Sequence, residues 1–315
     1  MIQSSQSALG VTCIDLFAGA GVFSTGAVAA GATVVWAGNH WQIAIDAHRL
    51  NHPDTQHACV DLRLVDWARL PRHDVILASP ACQGHSRARG SDKPHHDALR
   101  ATAWIVVEAV EATEPRGFIV ENVPEFLKWQ LFPDWLSALN RLGYHVRHNV
   151  LDAADLGVPQ HRRRMFLVGA KKQVRLPVLL GSMIQHVPVE SALDLHVPGN
   201  PDLARLGART RHQIECGIAE HNGQPFLVSY YGTARSGGVT RTVRRPCGTL
   251  TTKDRYGLWN QGTYRMLSVQ EMRRIMGFPD GYVLPVKHAD AVKSLGNAVC
   301  PPVASYALSH LVPSL

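Results

Sequence analysis

Cys82 stands in a part of the sequence where a purely structural cysteine is not expected. The surrounding stretch, residues 79–90, reads SPACQGHSRARG and directly follows the hydrophobic run 75–78. Cysteine usually behaves as a small buried hydrophobe, whereas Pro, Gly, Ser and Arg residues are typical of a solvent-facing loop. A thiol in such a loop could act as a nucleophile if its pKa is lowered.

Glu121 follows a second hydrophobic run. It lies with Asn122 in the stretch IVENVPEF, residues 119–126, which Pro124 interrupts. A buried carboxylate is costly unless it is paired or protonated, so a Glu with a raised pKa beside a thiol would form a nucleophile and acid pair. A strand-end Glu turned to solvent is the alternative for Glu121 taken alone.

Three consecutive arginines lead into a further hydrophobic run, in QHRRRMFLVG at residues 160–169. In an extended chain Arg162 and Arg164 share one face, so their guanidinium groups can point at the same acceptor. A solvated basic edge, which protects a sheet from aggregation, is the alternative.

A glycine-rich turn, DLFAGAGVFSTG at residues 15–26, connects the first apolar run to a helical stretch. Such glycines let the backbone and the helix N-terminus approach a ligand closely. Gly19, Gly21 and Gly26 do not have GxGxxG spacing, and no acidic residue ends the second strand, so the pattern argues against a dinucleotide. An ordinary tight turn explains the segment about as well.

The elements that position these residues alternate between short apolar runs and amphipathic stretches. This pattern predicts a parallel sheet with helices on both faces. The predicted strands are 11–16, 33–37, 57–60, 75–78, 117–120 and 165–168, and the predicted helices are 22–30, 43–51, 98–112 and 133–142. The fold class is therefore α/β, an open doubly wound sheet that binds ligands at the carboxyl ends of its strands.

The alternation stops after about residue 172. Residues 173–262 are rich in Gly, Pro, Arg and Thr with short β-prone pieces, which predicts a small, mostly β domain. Helical signals resume at Ser268, which begins a capping box with Glu271. We expect a first domain at residues 1–172, a small domain at 173–262, and C-terminal helices at 263–315 that return to the first domain.

Composition narrows the class of protein. The chain of 315 residues carries a formal net charge of +7, which favours a polyanionic partner. No apolar run approaches the roughly 20 residues of a membrane span, and the first residues do not resemble a secretory signal, so we expect a cytoplasmic protein. The six cysteines include no CxxC pair, and the two histidines of KPHHD lack metal-ligand spacing, so no metal is expected.

The order of the motifs resembles that of the DNA cytosine-C5 methyltransferases. FAGAG, PACQ, ENV, QHRRR, a variable basic segment, RPCGTLTT and GNAVCPP follow one another between residues 12 and 304. The resemblance implies the doubly wound methyltransferase fold with S-adenosylmethionine as cofactor. It also implies a monomer that acts on double-stranded DNA, with residues 173–262 as the target-recognition domain.

The resemblance implies a role for each matching residue. Cys82 would add to C6 of a flipped-out cytosine, and Glu121 would hold its N3 and N4 edge. Arg164 would donate near O2, supported by Arg162. Residues implied at the cofactor are Phe17, Ala18, Gly19, Gly21, His40, Trp41 (against the adenine), Asp61 (at its amino group), Asn297 and Val299. Residues implied at the DNA are Gln83, Ser86, Arg87, Gln160, Arg244 and Thr249.

The sequence departs from the family pattern around the nucleophile and at the cofactor ribose. Ala81 and His85 replace a proline and an aromatic residue near Cys82, which affects the rigidity of that loop. Residues 39–41 read Asn-His-Trp where the family carries a Glu, which affects cofactor affinity or choice. A tRNA cytosine-C5 methyltransferase and a catalytically silent DNA-binding regulator are the alternatives, and restriction-modification, phage protection and orphan methylation are all compatible with the sequence.

Overall fold

The main sheet of the protein has seven strands. The computed structural model describes residues 10–81, 95–177, 185–230 and 240–315, and residues 95–101 are described as backbone alone. The strands are β1 (Thr12–Leu16), β2 (Thr33–Asn39), β3 (Gln56–Cys59), β4 (Val75–Ala78), β5 (Gly117–Asn122), β6 (His145–Asp152) and β7 (Arg163–Ala170). Their spatial order is β3-β2-β1-β4-β5-β7-β6. The strands from β3 to β5 pair in parallel, and β7 runs antiparallel between β5 and β6.

The described residues form eight helices, of which the one at Ala208–Glu220 packs on a second sheet while others cover both faces of the main sheet. The eight helices are α1 (Val22–Ala29), α2 (Gln42–Asn51), α3 (His95–Thr113), α4 (Phe132–Arg141), α5 (Ala208–Glu220), α6 (Val269–Ile275), α7 (His288–Asn297) and α8 (Pro301–Leu311). In β4, Val75 and Leu77 face a core that includes α1 and α8, whereas Ile76 and Ala78 face a core that includes α3 and α4. All four residues are fully buried, because a parallel strand that is covered on both faces is apolar throughout.

The strand order reverses around β1, which lies between β2 and β4. Ligands bind at such a switch point in open α/β sheets, outside the carboxyl ends of the strands. The turn from β1 into α1 passes through left-handed backbone at Phe17, Gly19 and Gly21, with φ values of 61°, 55° and 94°. A non-glycine residue in this region is uncommon and strained. The surrounding structure must therefore hold Phe17 in this backbone conformation.

A second sheet is formed by four strands in the later part of the chain, most of it within the predicted small domain. Its strands are β8 (Phe226–Ser229), β9 (Thr240–Thr242), β10 (Tyr256–Asn260) and β11 (Thr263–Met266), paired antiparallel in the order β11-β10-β8-β9. Strand β11 lies beyond the boundary at residue 262 that was predicted for this domain. Leu227 and Leu258 of this sheet belong to the same core cluster as Met272 of α6, so the small domain shares a core with the C-terminal helices.

The predicted fold class is confirmed, and two elements differ from the prediction. Strand β6 was not predicted, because its sequence HVRHNVLD carries polar residues and only Val146 and Leu151 are buried. Helix α5 was not predicted either, so the small domain is more helical than the expected mostly β domain. The predicted capping box of Ser268 and Glu271 is present at the start of α6.

Within the described parts of the chain, no helix is both long and apolar enough to cross a membrane.

Candidate functional site

A cavity of about 210 Å³ opens at the carboxyl ends of β1, β2, β4 and β5. Phe17 and Trp41 line it from the ends of β1 and β2, and Ala81 and Glu121 line it from the ends of β4 and β5. Asn297, at the end of α7, closes it from the C-terminal side. Four strand ends and one helix end, far apart in sequence, therefore build one site.

Glu121 and Arg164 form a buried ion pair in the wall of this cavity. Arg164 Nε lies 3.2 Å from Glu121 Oε1, and their side chains are only 16% and 8% exposed. Burial raises the pKa of Glu121, while the charges of Arg164 and Arg162 oppose the increase. The alternative of a solvent-facing Glu121 is thus wrong, and the carboxyl group can hold a proton next to a fixed cation.

Arg162 has a different role from Arg164. It is 2% exposed, and its Nη1 donates to Leu250 O at 3.0 Å. Its Nη2 donates to Gly296 O and Ala298 O, both at 2.8 Å. The alternative of a solvated basic edge is wrong for Arg162, because its guanidinium group is buried and donates hydrogen bonds to backbone carbonyls.

A buried chain of polar side chains lies behind the glycine-rich turn. Asp15 Oδ2 accepts from Ser24 Oγ at 2.7 Å, and Ser24 Oγ lies 3.1 Å from His48 Nε2. His48 Nδ1 lies 2.8 Å from His57 Nε2. Burial raises the pKa of Asp15 to about 7 and lowers that of His48 to about 3. Because Ser24 gives its proton to Asp15, a neutral His48 must donate from Nε2 and accept at Nδ1.

These polar residues were missed in the sequence. Asp15 begins the DLFAGAG stretch, but a strand-end aspartate shows no sign of its burial. His48 and His57 lie 24 and 33 residues beyond Ser24 in the printed sequence, and sequence spacing does not bring them together.

The position predicted to hold an adenine is covered by a cation. Lys293 Nζ lies 4.0 Å from the centre of the Trp41 ring, a favourable cation–π distance. Both residues line the cavity, together with His40. Asn39 Oδ1 accepts from the Trp41 amide at 2.9 Å, so Asn39 orders the turn that presents the ring.

A family model described as C-5 cytosine-specific DNA methylase matches residues 11–204 and 217–312. This is well over half of the chain and includes all the strand ends that line the cavity. The chain belongs to the C-5 cytosine-specific DNA methylases.

Curated relatives agree with this assignment, and a solved structure has the same fold. The methylase is 28% identical to Type II methyltransferase M1.HphI of Haemophilus parahaemolyticus, over 96% of this chain and 87% of that protein. It is 26% identical to Type II methyltransferase M.HhaI of the same species, over 97% and 95%. The S. pombe Dnmt2 methyltransferase has the same fold, with a TM-score of 0.69 and 15% identity over 96% and 98% of the two chains.

Family members methylate cytosine C5 in DNA with S-adenosylmethionine, and the cavity of this methylase fits that cofactor. Asp15 Oδ1 is buried without a hydrogen-bond partner in the described part of the chain, so it can accept a hydrogen bond from an amino group of the cofactor. A Cβ at Gly19 would have only Phe17 O as a neighbour, at 4.0 Å, and its absence allows close backbone approach. The Trp41 ring can pack on the adenine once Lys293 moves aside.

Most of the predicted cofactor residues line the cavity. These are Phe17, Ala18, Gly19, His40, Trp41, Asn297 and Val299. Gly21 differs from the prediction, because a Cβ there would lie 2.9 Å from His48 Cδ2 rather than in the cavity. Asp61 also differs: its carboxylate accepts from Arg63 Nε at 3.0 Å, which lowers its pKa to about 2, and it does not line the cavity.

The residues predicted at the DNA have three outcomes. Gln160 is fully buried and its Oε1 accepts from the Leu250 amide at 2.7 Å, so its side chain faces the protein backbone in this structure. Arg244 is exposed, and the Thr249 hydroxyl donates to His161 O at 2.8 Å. Cys82, Gln83, Ser86 and Arg87 lie outside the described residues.

Among the described residues, no cluster of three or more His, Cys, Asp or Glu side chains has the arrangement of a metal site.

Proposed function

We propose that this methylase acts on a flipped-out cytosine in double-stranded DNA through a covalent bond between Cys82 and C6. The buried pair of Glu121 and Arg164 supports the proposal most strongly. It lies in the same cavity wall as Ala81, the residue that precedes Cys82. A nucleophile, an acid and a cation would then surround one base.

The reaction starts at C6, because cytosine C5 is a poor nucleophile until a group adds there. The Cys82 thiolate forms a bond to C6, and the electron pair of the C5–C6 double bond makes C5 nucleophilic. Glu121, with its raised pKa, donates a proton to N3 and stabilises the charge that develops. Arg164 donates to O2 and keeps Glu121 in place.

S-adenosylmethionine supplies the methyl group from its sulfonium when it is bound. After C5 has gained the methyl group, its hydrogen leaves as a proton to water. The electron pair of that C–H bond forms the C5–C6 double bond again as the bond between C6 and the Cys82 sulfur breaks, so that the thiolate is regenerated and the proton on N3 returns to Glu121. The role of the protein throughout is to hold the base and to control one proton at Glu121.

The DNA partner follows from access and charge. C6 cannot be attacked from the required direction inside a duplex, so the base must leave the stack at a cost of a few kcal/mol. The formal charge of +7 favours the phosphate contacts that offset this cost. We propose that the protein acts as a cytoplasmic monomer without a metal, and the names of its Type II relatives support a role in restriction-modification.

The test is to express the wild type and Cys82→Ala in a methylation-deficient bacterium and to sequence plasmid DNA after bisulfite conversion. We expect cytosines to be protected in one recurring context by the wild type and not by the variant. Equal protection by both proteins would refute the role of Cys82. Methylation of tRNA instead of DNA, or DNA binding without cofactor binding, would favour the two alternatives.

A further inference from the structure

A short segment of the small domain, residues 247–252, packs directly on the wall of the cofactor cavity. A Cβ atom added to Gly296 would lie 2.3 Å from the carbonyl carbon of Thr251. Real Cβ atoms do not come so close to a backbone atom, so glycine is required for this contact. Asn297, the next residue, lines the cavity. Gly296 itself also lines the cavity, so the 247–252 segment contacts the wall of the cofactor site directly.

The opposite side of the 247–252 segment is held by residues 160–162. Gln160 Oε1 accepts the Leu250 amide at 2.7 Å, and the Thr249 hydroxyl donates to the backbone of the same stretch at 2.8 Å. Gln160 is fully buried, and a buried hydrogen bond of this kind is costly to break. The segment is therefore fixed between residues 160–162 and the end of α7.

Arg162 joins the two sides through a single guanidinium group. It donates to Leu250 O at 3.0 Å and to both Gly296 O and Ala298 O at 2.8 Å. The last carbonyls of a helix have no partner inside the helix, and an arginine near a helix C-terminus satisfies them and complements the dipole. Arg162 thus caps α7 and holds the small-domain segment at the same time.

We propose that Arg162 is a positioning residue that couples DNA binding at the 247–252 segment to cofactor binding in the cavity. The inference rests on the proposed function and on the place of Thr249 at the DNA that the family resemblance implies. A shift of Leu250 on DNA binding is passed through Arg162 to the carbonyls at the end of α7, and so to Asn297. Coupling between two binding sites is reciprocal, so the cofactor strengthens DNA binding by the same factor.

Lysine is the informative replacement for Arg162. An ammonium group keeps the positive charge, but it is a single point charge without the planar fork of a guanidinium. It cannot hold the small-domain carbonyl and the two helix carbonyls together. Arg274→Lys is the matched control, because Arg274 Nε also donates to a backbone carbonyl, Ala192 O at 3.0 Å, and its ion pair is with Asp194 rather than with a group of α7.

The experiment measures the dissociation constant of S-adenosylhomocysteine by calorimetry, without DNA and with a saturating duplex that carries the site found by bisulfite sequencing. The ratio of the two constants reports the coupling and does not depend on a general loss of affinity. We expect the duplex to strengthen binding by about fivefold or more in the wild type and in Arg274→Lys, and by less than about twofold in Arg162→Lys.

A wild-type ratio in Arg162→Lys, or an equal loss in Arg274→Lys, would overturn the inference. A wild type that binds both ligands but has the same dissociation constant with and without the duplex would also overturn the inference. The proposed function would stand in that case. A wild type that does not bind the duplex would overturn the proposed function and the inference with it. If Arg162→Lys does not fold, Gly296→Ala perturbs the same contact and must also lower the ratio.

Discussion

Acid should destabilise this protein through His48, and His48→Gln should remove that part of the acid sensitivity. His48 is fully buried between Ser24 and His57, and its ring nitrogens lie 3.1 and 2.8 Å from their partners. A glutamine amide can still donate to Ser24 Oγ, but it does not take up a proton. The substitution therefore keeps the polar contact and removes the titration.

The magnitude follows from the pKa of His48, which burial lowers from 6.5 to about 3 in the folded protein. The unfolded chain binds the proton first as the pH falls below 6.5, so stability is full above that pH and is lost between about 6.5 and 3. The loss is about 1.4 kcal/mol per pH unit, or about 2.7 kcal/mol between pH 7.5 and 4.5.

Asp15 acts in the opposite direction. Burial raises its pKa from 3.8 to about 7, so the folded protein holds this proton more tightly than the unfolded chain does. Its contribution to stability is full below pH 3.8 and is lost as the pH rises to about 7. The wild-type profile therefore contains two opposing slopes, and only the difference between the wild type and His48→Gln isolates the histidine.

The assay is urea unfolding of the wild type, His48→Gln and the exposed control His145→Gln, each at pH 7.5 and 4.5. We expect the free energy of unfolding of His48→Gln, relative to the wild type, to increase by about 2.7 kcal/mol on going to the lower pH. The free energy of unfolding of His145→Gln, relative to the wild type, should change less between the two pH values. A difference for His48→Gln that is the same at both pH values would refute the reasoning.

Three further substitutions test the site. Glu121→Gln should slow methyl transfer by roughly 10²-fold or more, the usual contribution of a general acid; single-turnover kinetics check this, and a full rate would mean that the carboxyl group is only structural. Gly296→Ala should cost about 1–3 kcal/mol in urea unfolding, because its Cβ would lie 2.3 Å from the backbone. In the control Gly207→Ala the new Cβ would have nothing within 4 Å, so the free energy of unfolding should fall by less than about 1 kcal/mol. Equal losses in the two variants would contradict the close contact between Gly296 and Thr251. Lys293→Met should strengthen S-adenosylmethionine binding about two- to fivefold in calorimetry, because a cation–π contact of about 0.5–1 kcal/mol on Trp41 no longer has to be broken. Weaker binding would show that Lys293 assists the cofactor.

The sequence is a good guide to which strand ends meet. The buried strand β4 is apolar along its whole length and β5 is apolar as far as Val120, so the change to polar residues is abrupt in both places. Parallel strands in an open sheet present these ends at one edge. For this reason Glu121 could be placed at the sheet edge from the strand pattern, whereas Trp41 was assigned to the cofactor by the family resemblance; both line the cavity.

The direction in which a side chain points is less visible in the sequence. Gly21 and Gln160 stand in motifs that belong to the site, yet Gly21 faces His48 and Gln160 faces Leu250. A motif fixes the position of a residue along the chain, while its surroundings depend on segments up to 136 residues away. The acceptors of Arg162, which come from two later segments, were hidden for the same reason.

Helix α5 was hidden because little of its sequence is buried. Only Gln213, Ile214 and Gly217 of its thirteen residues are buried, and a single buried aliphatic residue does not produce a helical period. The close approach of Gly217 to Phe226, where a Cβ would lie 2.4 Å from the ring, shows that this helix depends on its contact with the second sheet. Tertiary packing, rather than local preference, stabilises it.

The central claim is the bond between Cys82 and C6 of the target cytosine. A duplex with 5-fluorocytosine at the methylated position tests it directly, because fluorine cannot leave C5 as a proton does and the covalent adduct accumulates. We predict that mass spectrometry of the protein with this duplex and S-adenosylmethionine detects a stable complex whose attachment maps to Cys82, and that Cys82→Ser forms no such complex. Methylation of the normal duplex without any adduct, or attachment at another cysteine, would contradict the account.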